Sequence, residues 1–382
     1  MPKLFICGDI VNFYNTGNIC SDELSRIIQD ADYAICNFEA PIAGYGKPQI
    51  KSGIHISQQI STVASLKDLG FHLFLLANNH IMDYGKTGLN ATIDLIVNNN
   101  LDFLGAGNDF DSAYAPLIKV ISGTRIGMLN ACESQFGVLD YFGETSNAGY
   151  AWINHNLIDH NILNLKKICD FVVVFSHAGL EHFHVPQKEW RARYQHFCKL
   201  GADIVIGSHP HVPQGYEKYG NSLIFYSLGN FYFDILKYKN QKDHSFSVIL
   251  DLTAGCSPDF DFVFHYKKEN KVFLANENEQ TNIKSLCDCL SHEYIKHCEN
   301  ISITSYNKFI KRELANSLLP QFIDATPLRT LRTIIATLLG RRNHQDKMLL
   351  LLHLLRNESY FYAAVHALEV LARNKYQHES DL

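Results

Sequence analysis

The chain lacks most of what a membrane, nucleic-acid or disulfide protein needs. No apolar run approaches the roughly 20 residues that span a bilayer. The longest, Met348 to Leu355, is eight residues broken by His353. No block of Lys and Arg appears. The 34 basic residues against 39 acidic ones leave a net charge of −5, which argues against a phosphate-backbone binder. None of the ten cysteines forms a CxxC pair. Cys7, Cys36 and Cys169 sit in apolar patterns, where a reduced thiol acts as a small hydrophobe. The apolar run within Met1–Asp9 is too short and too soon interrupted for a secretory signal, so a cytoplasmic protein is expected. There is no internal repeat. With 46% apolar and 19% charged residues among 382, extensive disorder is excluded, and the length suggests two or three units.

What is present is an alternation. Short apolar runs at Leu4–Cys7, Tyr33–Cys36, Phe71–Leu76, Phe171–Phe175, Ile204–Ile206 and Leu223–Tyr226 suit strands buried on both faces. Helical patterns lie between them, at about Ser57–Leu69, Thr87–Asn99, Leu157–Cys169 and Lys188–Leu200. Another opens at Ser21-Asp22-Glu23, as helix starts favour. Hairpins are expected over Leu117–Leu129 and between Phe246–Leu252 and Phe260–Tyr266, so the sheet should be mixed. After Lys267 a polar connector leads into helical text. The expected division is an α/β domain over 1–267 and an α-helical region over 282–382, with helices at Leu328–Leu339 and Asp346–Arg373.

Polar residues able to hold metal follow strand after strand. Asp9 follows the first run, Asn37 and Glu39 the second, and Asn78, Asn79 and His80 the third. His177, then His209 and His211, then Asn230 follow the next three. In open α/β sheets, ligands gather beyond the carboxyl ends of strands. Six segments thus aim acids, amides and imidazoles at one edge, whereas a lone His is more often a satisfied core residue. Gly8, Gly207 and Gly229 allow tight strand exits there. Such nitrogen and oxygen donors suit zinc, iron or manganese, and two such cations held by a shared carboxylate polarise a substrate oxygen and activate water. Cys287, Cys289, His292, His297 and Cys298 also crowd together, but their irregular spacing reads as chance clustering on a helix rather than a zinc site. Lys47, Lys51 and His55 read as a solvated loop, His182 and His184 as outlying or surface residues, and Tyr84, Tyr150 and Trp152 as pocket wall or core.

These residues resemble the CapA family of poly-γ-glutamate capsule biosynthesis proteins, within the calcineurin-like metallophosphoesterase superfamily. The matching text is Gly8-Asp9, Asn37-Phe38-Glu39-Ala40-Pro41, Ala77-Asn78-Asn79-His80 through Gly85, His177-Ala178-Gly179-Leu180-Glu181, Gly207-Ser208-His209-Pro210-His211 and Ser227-Leu228-Gly229-Asn230. The resemblance covers roughly residues 1–250 and implies a four-layer α/β/β/α sandwich. It implies that Asp9 and His211 serve a first metal and Asn79, His177 and His209 a second, with Glu39 bridging. It implies that His80 steadies the substrate anion or protonates the leaving group, with Asp83 the candidate to orient it. Val11 stands where the superfamily has a metal-binding His, and Glu39 where it has Asp, so one divalent ion or two of unequal affinity are expected, Mn, Fe or Zn. The implied activity is hydrolysis of a phosphoester or a γ-glutamyl amide by metal-activated water. The alternative is a non-catalytic, metal-binding accessory role in polymer assembly. The implied partners are an anionic small-molecule or polymer substrate and capsule-synthesis proteins; the charge balance and the short apolar runs lead to the expectation of no nucleic acid and no membrane span.

Overall fold

The short Val, Ile and Phe runs assemble into two sheets laid face to face. A computed structural model describes residues 2–142, 145–235, 243–319, 323, 327–338 and 346–380. The first sheet carries the parallel strands Lys3–Val11, Tyr33–Phe38, Phe71–Leu75 and Asp102–Leu104 in that order. On its other side the antiparallel strands Asp243–Asp251, Asp259–Lys268 and Lys271–Leu274 extend it. The strand Asn230–Phe233 pairs with the end of Lys3–Val11, setting Asp9 opposite Asn230. The second sheet runs Tyr216–Tyr219, Ser222–Phe225, Ile204–Ser208, Phe171–His177, Thr124–Cys132 and Leu117–Ile121, parallel in its four central strands and antiparallel at both edges. The mixed sheets and the two hairpins are those the patterning implied.

Between the sheets, Leu4, Ile6, Ile35, Leu73 and Val248 of the first meet Met128, Val173, Ile206 and Phe225 of the second. On the outer face of the first sheet, Phe5, Cys36 and Phe74 pack against Leu24, Ile28, Val63, Leu66, Leu89 and Ile96 from the helices Asp22–Gln29, Ser61–Asp68 and Gly85–Asn98. On the outer face of the second, the helices Asn156–Leu165 and Lys188–Leu200 bury Ile158, Ile162, Trp190 and Phe197. The result is a four-layer α/β/β/α sandwich. The central parallel strands of both sheets are covered on both faces, which is why they read as continuous apolar runs rather than alternating ones.

The contacts divide the chain into two units, one of Met1–Gln49 with His55–Ser291 and one of Ile50–Ile54 with His292–Leu382. The sandwich belongs to the first. The second is helical: Glu358–Ser380 packs on Tyr294–Ser305, and Lys347–Arg356 on Lys311–Leu318. Two expectations are corrected. Asp346–Arg373 is two helices, not one, because the Asn357 side chain accepts the Tyr360 N–H and starts a new helix. Within the polar connector, Lys271–Leu274 forms a strand whose Val272 is fully buried and bonded through its backbone to Ile19 and Ser21. Residue 339 of the expected Leu328–Leu339 helix lies outside the described residues; the helix is described over Pro327–Leu338. No helix among the described residues is long and apolar enough to cross a membrane.

Candidate metal centre

The carboxyl ends of strands from both sheets meet at one rim. Gly8 makes this possible: a Cβ there would lie 1.8 Å from the Gly229 carbonyl oxygen. The close approach shifts the register beside Asp9 and turns its carboxylate into the rim. Asn37 Nδ2 donates to Asp9 Oδ1 at 2.8 Å, and His211 Nδ1 lies 3.2 Å from Asp9 Oδ2. Glu39 follows Tyr33–Phe38, with its backbone tied to Ile10. Its carboxylate is fully buried, 3.7 Å from both His177 Nε2 and His211 Nε2. Asn79 Oδ1 and His209 Nδ1 each lie 3.1 Å from His177 Nε2.

His209 and His211 sit at φ of +95° and +60°, and nearby His182 at +67°. Left-handed backbone at non-glycine residues costs free energy and gathers at functional sites. Here it turns both imidazoles of His209-Pro210-His211 to the same side. His211 is steadied from behind: its Nδ1 is 3.0 Å from Asn230 Oδ1, and Asn230 Nδ2 donates to Asp243 Oδ2 at 2.7 Å. The His80–Asp83 pair is closed at 2.8 Å, and the same Asp83 oxygen accepts the Ile56 N–H.

Three sets of side chains have ligand atoms within 4.8 Å of one another: Asp9, Glu39 and His211; Glu39, His177 and His209; and Glu181, His209 and His211. Glu39 is common to the first two. Asn79 joins the second through His177. The structure therefore brings Asp9, Glu39, Asn79, His177, His209 and His211 together, while His80 and Asp83 form a separate pair at their side. Among the described residues no metal-ligating set includes Cys287, Cys289, His292, His297 or Cys298. His55 bonds the Gln49 carbonyl, and His184 the Pro213 carbonyl. Tyr150 is core: its buried hydroxyl accepts the Gln135 N–H and donates to the Glu133 carbonyl.

The donor set fits a cation. Neither oxygen of Glu39 has a hydrogen-bond partner, and Asn37 Oδ1 has none either. A buried carboxylate left this way is costly unless a positive charge meets it. Without one, burial and the adjacent Asp9 carboxylate push the Glu39 carboxyl well above its ordinary range. Burial, then the neighbouring imidazoles, hold His177 well below its usual value, in the neutral form that ligates metal. Burial would also lower His211, but Glu39, Asp9 and Glu181 outweigh it and hold a proton there, one that a metal would displace.

Sequence reasoning missed two members of this rim, Glu133 and Glu181. Glu133 lies 3.4 Å from His209 Nε2. It follows the strand Thr124–Cys132, whose end lies beyond the hairpin read in the sequence. Glu181 was visible only as motif text. Asn37 and Asn230 were seen as polar residues after strands, but their bonds to Asp9 and His211 had no signal of their own.

The profile of the bacterial capsule synthesis protein PGA_cap family matches residues 5–235. The chain belongs to this family. PGA_cap relatives include the capsule biosynthesis protein CapA of Bacillus anthracis, 33% identical over 233 residues that make up 59% of this chain and 56% of that one. The PGA biosynthesis protein CapA of Bacillus subtilis is 34% identical over 54% of this chain and 55% of that one. A probable polyglutamine synthesis accessory protein of Mycobacterium tuberculosis is 24% identical over 52% of this chain and 55% of that one. The chain thus spans about half the length of the curated relatives it matches. Among solved structures, a putative 5'-nucleotidase from Staphylococcus aureus superposes with a TM-score of 0.45 at 16% identity, covering 75% of this chain and 58% of that one. The calcineurin-like phosphoesterase YfkN of Bacillus subtilis gives 0.40 at 12% identity, covering 78% and 98%.

Proposed function

We propose that this PGA_cap protein is a metal-dependent hydrolase of capsule or anionic-polymer biosynthesis, acting on a phosphoester or a γ-glutamyl amide. One observation carries the reading: a fully buried carboxylate, Glu39, with no hydrogen bond to either oxygen, shared between two sets of acid and imidazole donors. One or two divalent ions, Mn, Fe or Zn, would be held by Asp9, Glu39 and His211 on one side and by Glu39, Asn79, His177 and His209 on the other. Such an ion supplies a Lewis acid that polarises the scissile bond and makes nearby water a stronger acid. The chain's own groups do the rest. Asp83 fixes the His80 ring through Nδ1, which orients the imidazole to carry a proton to the leaving group. Asn230 sets the His211 ring, and Asn37 holds Asp9.

The test is elemental analysis and turnover after purification with Mn, Fe or Zn. Wild-type protein should retain metal and cleave bis-p-nitrophenyl phosphate or γ-glutamyl-p-nitroanilide, and His209→Ala should lose both. Metal-free wild-type protein, or full turnover in His209→Ala, refutes the reading.

A second reading has the metal serving binding alone, in an accessory role beside capsule-synthesis partners. The mycobacterial relative, a probable polyglutamine synthesis accessory protein, favours it. It expects His80→Ala to support polymer production as well as wild type does.

A further inference from the structure

Glu181 is the one carboxylate at the rim that faces open space. Its side chain is 40% exposed, whereas Asp9, Glu39 and Glu133 are fully buried. It is nevertheless held against the histidine loop. The segment after Phe171–His177 is tied to the histidine loop by Ala178 N–H to the Ser208 carbonyl at 3.1 Å and His182 N–H to the Pro210 carbonyl at 2.8 Å. Gly179, at φ +136°, lies so close to Pro210 that a Cβ would sit 3.0 Å from its ring. Glu181 Oε2 is 3.9 Å from His182 Nε2, and a carboxylate oxygen is within 4.8 Å of ligand atoms of both His209 and His211. It therefore caps the two imidazoles that the two halves of the centre contribute, on their solvent-facing side.

The charge balance follows. Asp9, Glu39, Glu133 and Glu181 bring four negative charges. Two divalent ions bring the total to zero (4 − 4), and one leaves −2. Among the described residues every ion-pair partner of Asp9, Glu39 and Glu181 is a histidine, never a lysine or arginine. A site for phosphate esters normally surrounds the anion with surplus positive charge. This one instead holds a carboxylate within 4.8 Å of ligand atoms of two of its imidazoles.

We propose that Glu181 is a specificity-determining acid that turns the centre against phosphate esters and toward the uncharged carbonyl of an amide. The inference rests on the metal-dependent reading above and selects between its two substrate classes. The reaction needs only water: the water oxygen bonds to the acyl carbon, the C–N bond breaks, and the nitrogen leaves with a proton. The products are a carboxylate and an amine.

The test reads anion binding as well as turnover. Manganese content and inorganic phosphate affinity are measured by elemental analysis and calorimetry on Mn-treated wild type, Glu181→Gln and Glu181→Asp. The expected result is weak phosphate binding to wild type and to Glu181→Asp, tightened about tenfold to a hundredfold in Glu181→Gln at unchanged manganese content. Wild type should also cleave γ-glutamyl-p-nitroanilide in preference to bis-p-nitrophenyl phosphate, with the preference narrowed in Glu181→Gln. Equal phosphate affinity in wild type and Glu181→Gln overturns the proposal. So does loss of manganese in Glu181→Gln alone, which makes Glu181 a ligand and leaves the hydrolase reading standing. Failure of wild type itself to hold manganese brings down both.

Discussion

Replacing Glu39 with Gln separates a cation-holding carboxylate from an ordinary buried acid. In the metal-free protein Glu39 is a liability: fully buried, neither oxygen hydrogen-bonded, and beside Asp9. Each buried acceptor left unmade costs about 1–3 kcal/mol. Gln is nearly isosteric, carries no charge and adds an N–H₂ donor toward the neighbouring acid. A net gain of about 2 kcal/mol raises Tm by roughly 4 °C in a domain of this size. The gain depends on pH. A carboxyl raised by burial keeps its proton in the folded state, so metal-free wild type loses stability as pH climbs above the ordinary value of 4.5. The advantage of Gln therefore vanishes near pH 4.5 and grows toward neutrality. With manganese the order of merit changes. At a hundredfold excess over its dissociation constant, manganese stabilises wild type by about 2.7 kcal/mol, roughly 5 °C. The variant has lost the ligand common to two donor sets and should shift by no more than about 1–2 °C. Thermal melts in EDTA and in manganese, from pH 4.5 to 7.5, read both effects. A variant less stable than wild type in EDTA, or one with the full manganese shift, refutes the assignment of Glu39 as a cation-holding group.

Three further outcomes follow from the same geometry. Asn230→Ala removes the brace behind His211 Nδ1 and should weaken manganese binding about tenfold to a hundredfold in a calorimetric titration, with secondary structure intact. Gly8→Ala puts a Cβ 1.8 Å from the Gly229 oxygen and should cost about 3 kcal/mol in urea denaturation while displacing Asp9. His265 is buried in the first sheet with its Nε2 3.0 Å from Ser247 Oγ, and burial holds it down at about 3 against an ordinary 6.5. Its depressed value means the unfolded chain binds the proton first. Stability is therefore whole above pH 6.5 and is lost as pH falls toward 3, at about 1.4 kcal/mol per unit. His265→Gln should remove that slope from urea midpoints measured between pH 4.5 and 7. An unchanged slope counts against it.

The local parts of this protein were legible before its fold was. Asp9, Glu39, His177, His209 and His211 stand just past buried apolar runs, and a strand's end is readable because period and composition act within a few residues. Glycines at Gly8 and Gly229 marked the tight exits for the same local reason. The strand Lys271–Leu274 was hidden, because polar flanks masked three apolar residues and its bonds beyond the Asp259–Lys268 hairpin go to Ile19 and Ser21, some 250 positions away. The break at Asn357 was hidden because Leu-rich text on both sides carried the helical pattern through it.

The amino-acid order alone determined that acids, amides and imidazoles lie at the carboxyl ends of successive strands. Only the tertiary structure decided that Glu39 belongs to two donor sets at once, that Asn230 backs His211, and that Glu133 and Glu181 enter the same rim. Those pairings depend on how the two sheets stack through Ile6, Leu73, Val173 and Phe225. Packing sets that register between segments a hundred or more residues apart, and no local periodicity records it.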